Sequence, residues 1–480
     1  MYIQLNRNSN KPLWQQLVND IINKINIGKL IPGDKLTPSR TLAEELKISR
    51  STIQLAYDEL LCRGYVVTSR RGGTRIAPLE SWSKSTNHKK KIISSPLLIS
   101  NIEENYSQIG QYSCTNNHFE NIEIDFTNNE LLVDALFLRK WKYSLSKALN
   151  KVSIKEWCYN SPYGMLETRH QIQKYLLVGR GVKVSTEQIL LVCGHQQAIN
   201  LISNVLLEGK GSVALEDPGF IDERLSLLHQ GIEVTGVPID NEGMVVNLIP
   251  PRTKLIVVNP SHQGPIGTTM TLQRQQELID LAIRNNSFIL EDDYGREYRY
   301  QGIPLPSIFS KAQENVIHIV NFSNILTSGI QLSAIVGQAD IIRKLARAQS
   351  FLQKQLSIMD QLTLTEFLKE GYFISHIRRL RNIYKIRQQA MIEALIDKKL
   401  HERFQIKGSN SGFSLFLEAE KNFNETKIIS KGAKNGIGIR SIYPYCYNYR
   451  HKGLLLNFSL IKEYKIYEGL ERLNKLLNTL

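Results

Sequence analysis

A chain of 480 residues is too long for one ordinary core and predicts one large and one small domain, or about three of average size. Its 42% hydrophobic and 22% charged residues are those of a globular protein, and no window approaches the roughly 18 uncharged apolar residues of a membrane span. The N-terminus, MYIQLNRNSNK, lacks the apolar stretch of a secretory signal, so a cytoplasmic protein without a membrane partner is the expectation. Five scattered cysteines with no CxxC pair argue against disulfides and against a metal site. A net charge of +15 favours a polyanionic partner.

Trp14, Leu17, Val18, Ile21, Ile22 and Ile25 recur at helical spacing, and Gly28 closes this first helix. A basic turn, KLIPGDKL, follows. Thr37 and Ser39 are candidate N-caps for a second helix over 40–46, and Ser49 for a third that runs to Arg63 and ends at Gly64. The residues YVVTSRRGGTRIA then read as a strand, a tip at Gly72 and Gly73, and a returning strand, with Arg70, Arg71 and Arg75 around the tip. This is a helix-turn-helix with a wing. Residues 1–77 hold twelve Lys and Arg against six Asp and Glu, an excess suited to phosphate. The third helix presents free backbone N–H groups at its start, and side chains in that first turn can reach base edges in a major groove. Arg50, Ser51, Thr52 and Gln54 occupy it.

The run PGDKLTPSRTLAEELKISRSTIQLAYDELLCRGYV resembles the winged helix-turn-helix of the GntR family of bacterial repressors, from Pro12 to Ala77 and including the PSR, SRSTI and LxxxGY elements. The resemblance implies contact with double-stranded operator DNA through Arg40, Arg50, Ser51 and Thr52, with Gly72 of the wing near the minor groove. Residues 78–123 lose apolar periodicity, are rich in Ser and Asn, and read as a flexible linker.

Beyond residue 124 apolar strands over 189–193, 212–215, 255–258, 288–290 and 316–320 alternate with amphipathic segments such as 196–207 and 272–284. That alternation predicts an α/β domain with a mainly parallel sheet, whose ligands sit at the carboxyl ends of the strands. Gly194 opens a helix whose first N–H groups suit an anion. Phe220, in EDPGF, offers an aromatic face, and His262 and Gln263, in NPSHQGPIG, offer hydrogen-bonding groups. A carboxylate at Asp292 suits a protonated ring nitrogen, and the Tyr294 hydroxyl suits a ring phenolate.

Together YNSPYGMLETRHQI, LVCGHQQAI, LEDPGF, NPSHQGPIG, EDDYGREYRY and GSNSGFSLFL resemble the fold type I aminotransferases, and their union with a GntR head resembles the MocR subfamily of regulators. The resemblance implies a homodimer and a pyridoxal phosphate pocket. Its phosphate would lie on Gly194, His195 and Gln196, its ring against Phe220, His262, Gln263, Asp292 and Tyr294, and its aldehyde end at Ser323 and Asn324.

The chain departs from that pattern where the ligand chemistry lies. The family carries a Ser-Lys pair followed seven residues later by an arginine, and here the residues are Ser323-Asn324 and Gln331. Asparagine has no amine to form an imine, so covalent attachment of the cofactor is not expected and transamination loses its base. No catalytic residue is assigned. Losing the arginine removes a charge-assisted phosphate contact of about 1.5–3 kcal/mol. Ser328 stands for a usual proline, and Leu455 stands near the family's carboxylate-binding arginine. The expectation is a transcription regulator with a winged helix-turn-helix over 1–77, a linker over 78–123 and an aminotransferase-like domain over 124–480. That last domain dimerises and binds a small-molecule effector, with the cofactor held non-covalently or lost. The alternative is an active pyridoxal-phosphate-dependent aminotransferase carrying a DNA-binding head.

Overall fold

A computed structural model of the chain describes residues 5–6, 11–69, 73–77, 122–158, 161–208, 211–302, 305–353, 356–420 and 422–479. Arg70, Arg71 and Gly72 at the wing tip, and 78–121 of the linker, lie outside the described residues. The chain divides into two compact units, 1–99 and 100–480.

In the first unit, helices α1 (Leu13–Asn26), α2 (Ser39–Leu46) and α3 (Arg50–Cys62) precede an antiparallel pair, β1 (Val66–Ser69) and β2 (Gly73–Ile76). The apolar stripe of α1, Leu17, Val18, Ile21 and Ile25, packs in one core with Ile53, Ala56, Tyr57 and Leu60 of α3. Ser49 caps α3 as expected, its hydroxyl accepting from the Thr52 N–H at 3.2 Å. The second helix differs from expectation: it starts at Ser39 with Pro38 at its N-cap, and no side chain caps it. Thr37 acts through its backbone instead, its carbonyl accepting from the Tyr57 hydroxyl at 2.7 Å and tying the start of α2 to α3. Burial, then the Glu45 charge, pushes Tyr57 up to about 12, so it remains a donor. The turn before α2 also joins the wing. Leu36 N–H donates to Thr74 at 2.9 Å and Ile76 N–H to Asp34 at 2.8 Å, a pairing hidden in sequence because PGDK reads as a turn.

The second unit is built on an eight-stranded sheet of β3 (Ile189–Val192), β4 (Ser212–Asp217), β5 (Glu233–Asp240), β6 (Gly243–Met244), β7 (Leu255–Val258), β8 (Phe288–Asp292), β9 (Val316–Asn321) and β10 (Ser333–Val336). Its order is β3-β10-β9-β8-β7-β4-β5-β6. The pairs from β9 through β8, β7 and β4 to β5 are parallel, and β10 runs against both β9 and β3. The sheet is thus mainly parallel, as the alternation of strands and helices implies. Both the edge strand β3, ILLV, and the central strand β7, LIVV, are short unbroken apolar runs with every residue buried, because both faces of the sheet are covered. Leu191 and Ile256 face one core and Leu190 and Val257 the other. Truncating one such leucine to alanine costs about 2–5 kcal/mol.

The remainder forms a smaller antiparallel sheet, β11 (Gln405–Lys407), β12 (Ser414–Glu418), β13 (Arg440–Ser441) and β14 (Gly453–Asn457), in the order β11-β12-β14-β13. The helices Tyr372–Asp397 and Glu463–Asn478 share its core. Glu123 is docked here, its N–H donating to Gly436 at 2.9 Å and its carboxylate accepting from Arg472 at 2.7 Å.

Candidate functional site

Two regions carry the residues that sequence reasoning singled out. On the first unit Arg40, Arg50 and Ser51 are exposed and Thr52 half-buried, all within one turn of the starts of α2 and α3. Thr52 and Ser51 turn their hydroxyls toward the Ser49 hydroxyl, at 2.7 and 2.9 Å. Neither Arg40 nor Arg50 has an ion-pair partner among the described residues, so each helix start carries an unneutralised guanidinium. Arg75 on β2 is different, because its guanidinium donates to the Gly33 carbonyl at 2.8 Å and holds the wing.

The second region lies at the carboxyl ends of β3, β4, β7, β8 and β9. Gly194 opens the helix Gly194–Leu207 with φ +76°, a left-handed backbone suited to glycine. A Cβ there would stand 2.7 Å from the Gln331 side-chain oxygen, so Gln331 already lies over this helix start. The Gln331 amide donates back to the Ser328 carbonyl at 2.8 Å. Gln196 points elsewhere, donating to the Asp222 carbonyl at 2.9 Å. His195 turns inward. Its Nε2 lies 3.0 Å from Glu223 Oε1 and 3.9 Å from Asp292 Oδ2.

Asp292 is the last residue of β8, is 2% exposed, and accepts from the Asn259 amide at 3.0 Å on one oxygen. Its other oxygen has no hydrogen-bond partner among the described residues. Burial raises its pKa against the opposing pull of His195 and His318. Burial and then the charges of Asp292 and Glu216 raise Glu223 well above the usual carboxylate range. Burial likewise pushes Glu216 up to about 8, although it accepts from the Asn259 N–H at 3.1 Å. Three carboxyl groups therefore share a desolvated corner.

The other pocket positions are locked by protein partners. His262 binds the Ser411 hydroxyl at 2.8 Å and is pressed by Gly295 and Gly412, where added Cβ atoms would meet its ring at 2.9 and 2.4 Å. Burial, then Arg299, lowers its pKa to about 4, so it stays neutral. Gln263 donates to the Pro218 and Gly264 carbonyls at 2.7 and 2.8 Å. Phe220 meets the ring of Tyr294 edge-on, with centroids 4.9 Å apart. Ser323 donates to the Ile330 carbonyl at 2.5 Å, closing the strand-loop-strand, while Asn324 is half-buried beside it. Behind Asp292, Arg180 is buried against Asp293 and Glu297, and His318 stands 3.5 Å from Asp293. Burial raises the pKa of Glu291, but His318, the Ser307 hydroxyl and the Phe309 N–H outweigh it and hold the carboxyl near about 2.

Sequence reasoning missed three contributors. Asn259 bridges Glu216 and Asp292 and is the first residue of the NPSHQGPIG motif, so its place just past a strand was a usable signal. Glu223 gives no such signal, since an acid in the first turn of a helix is ordinary. Arg440 lies directly opposite Leu455 across β13 and β14. Both line a cleft with Asn129, Phe220, Tyr294, Tyr445 and Asn457 that encloses only about 40 Å³, well under the roughly 300 Å³ at which small-molecule sites begin. Arg440 donates to the Tyr445 hydroxyl at 3.0 Å and has no acidic partner among the described residues.

The residues do not fit pyridoxal phosphate held as an aminotransferase holds it. No amine stands at 324, a neutral amide lies over the phosphate helix, and Asp292 already faces an imidazole.

A winged head followed by an aminotransferase-type sheet defines a class of two-part proteins, and the comparisons agree. The family described as bacterial regulatory proteins, gntR family, matches residues 13–76, and aminotransferase class I and II matches residues 121–466. The HTH-type transcriptional regulator YdeL of Bacillus subtilis is 30% identical over 98% of this chain and 97% of its own. The "Probable rhizopine catabolism regulatory protein MocR" of Rhizobium meliloti is 25% identical over 98% and 94%. Among solved structures, the kynurenine aminotransferase of Pyrococcus horikoshii, in complex with PMP, superposes with a TM-score of 0.69 at 23% identity, over 82% of this chain and 98% of that one. The chain belongs to the MocR-type family of GntR regulators, in which a DNA-binding head is joined to a fold type I aminotransferase domain.

Proposed function

We propose that this DNA-binding transcription regulator reads its operator with the starts of α2 and α3 and performs no transamination. Arg50, Ser51 and Thr52 enter the major groove, and Arg40 anchors the adjacent phosphate. Gly72 brings the wing toward the minor groove. The observation that carries this reading is the pairing of two unneutralised arginines with a capped helix start on the first unit, set against the missing lysine and arginine at Asn324 and Gln331 on the second.

The aminotransferase-like domain dimerises and senses a small molecule in the cytoplasm, with residues 78–121 as the tether between head and body, since Glu123 of the expected linker is docked on the body. Two heads on one body raise the effective concentration of the second half-site contact. Arg440 supports an anionic effector, because it is a guanidinium without an acidic partner among the described residues, in a cleft whose other lining residues carry no carboxylate. Such a ligand displaces the Tyr445 hydroxyl and opens the cleft, and its effect on DNA equals its preference for the opened state.

A gel shift on the DNA upstream of the gene, run at two salt concentrations with and without candidate carboxylate ligands, tests this. Steeply salt-dependent binding that a carboxylate shifts is expected. Binding that survives removal of residues 1–77 would overturn it.

A further inference from the structure

Pyridoxal phosphate has three handles in the family pocket: an aldehyde, a phosphate and a ring nitrogen. In this chain each place is taken by a neutral or internal group. Asn324 stands at the first. Gln331 lies over the helix start at Gly194, tied down by its bond to Ser328. The third is the least expected, because Asp292, the residue suited to a ring nitrogen, is retained and buried.

A buried carboxylate needs a donor or a cation. Asn259 supplies one donor at 3.0 Å. The other nitrogen heterocycle in reach belongs to the chain itself: His195 Nε2 lies 3.9 Å from Asp292 and 3.0 Å from Glu223. Among the described residues His195 is the only basic side chain within 4.0 Å of either carboxylate. Glu223, at 5% exposed, has no other hydrogen-bond partner among the described residues. His195 and Glu223 therefore form a pair across the strand ends of β3 and β4, and that pair faces Asp292.

We propose that the His195 imidazole is a built-in replacement for the cofactor ring, held by Glu223 against Asp292, so that the pocket excludes pyridoxal phosphate and the regulator responds to its effector without it. This rests on the regulatory reading above and adds that the domain is cofactor-free by construction. A plain loss of the lysine would leave Asp292 open to a non-covalently bound ring. The paired imidazole, 3.9 Å from one Asp292 oxygen, blocks that approach by its bulk, although the other oxygen has no partner among the described residues.

The full-length protein, incubated with pyridoxal phosphate or pyridoxamine phosphate and passed through gel filtration, is measured for bound cofactor by absorbance and by tryptophan fluorescence titration. The wild type is expected to retain none. His195→Ser is expected to bind at least about tenfold more tightly than wild type, and adding Asp292→Asn is expected to abolish the gain. Restoring the basic residues alone, as Asn324→Lys with Gln331→Arg, is expected to leave binding poor, and combining them with His195→Ser to give stoichiometric binding. Melting curves of every variant confirm a folded protein.

Stoichiometric cofactor on the wild type, or binding by the lysine-arginine variant no weaker with His195 than with serine, overturns the proposal. So does a divalent metal that the wild type retains and His195→Ser releases, since His195, Glu223 and Asp292 place ligand atoms within 4.8 Å of one another and the imidazole would then be a ligand. Failure here is separable from failure of the regulatory reading, which the gel shift reports. A wild type that binds pyridoxal phosphate and DNA ends this inference alone. A wild type that binds no cofactor, and whose DNA affinity no carboxylate moves, ends the sensing reading alone.

Discussion

The head and the body of this protein treat their motif residues in opposite ways. In the head the motif side chains stay at the surface: Arg40 and Arg50 are exposed and free of ion pairs among the described residues, and the core is made by other positions such as Leu17, Ile53 and Leu60. In the body most motif side chains have turned to one another. His262 is wedged among glycines, Gln263 braces Pro218, His195 pairs with Glu223, and Gln331 lies over Gly194. Side chains left exposed, as in the head, are available to a partner. In the body the motif residues also close the strand ends, so their mutual contacts contribute to packing.

The sharpest way to break this contrast is through the head. Removing residues 1–77, or substituting Arg50→Ala together with Arg40→Ala, is expected to abolish specific operator binding in a gel shift while the body's melting transition stays in place. Each lost base-edge or phosphate contact accounts for about 1–3 kcal/mol. Retained binding would mean that the exposed arginines are ordinary surface charge.

The next effect lies in the body. Arg180→Ala leaves Asp293 and Glu297 buried without their cation, and breaking such a pair costs about 3–5 kcal/mol. Chemical denaturation followed by body fluorescence is expected to show that loss, with the head's transition unchanged.

A pH series sharpens the electrostatic side. Glu216, pushed by burial up to about 8, holds a proton in the folded state that the unfolded chain releases near its ordinary value of about 4.3. Its contribution is therefore complete below about 4.3 and lost as the pH rises toward 8. Between pH 5 and 8 the wild type is expected to lose stability relative to Glu216→Gln, a trend that parallel melting curves of the two proteins would reveal or refute. The smallest effect returns to the head. Ser49→Ala removes the cap on Thr52 and is expected to lower head stability by about 1 kcal/mol, read from its thermal transition.

Much of the site was legible because each strand end carries its own local signature. Gly194 opening an amphipathic helix, Asp292 shortly after the apolar run that starts at Phe288 and Ser49 opening SRSTI are readable from neighbours a few residues away. Asn324 and Gln331 were equally legible as departures, since chemistry follows from residue type: an amide cannot do what an amine does. Pro38 in place of Thr37 at the α2 cap, and the pairing of 34–36 with β2, were not legible, because they depend on how α3 and the wing pack.

By itself the sequence determined the two-part architecture, the winged head and the parallel body, which follow from periodicity and turn residues, while the reading of Asn324 as standing in a lysine's place comes from the resemblance to the family. Only the tertiary structure decided what fills the altered pocket. His195 and Glu223 are 28 positions apart and Arg440 and Leu455 are 15 apart, and no local pattern links either pair. Strand order brings Glu223 beside Asp292, and the antiparallel register of β13 and β14 sets a guanidinium opposite the position where the family's arginine is missing. Contacts of that kind are made by strand order and register, which are properties of the whole domain.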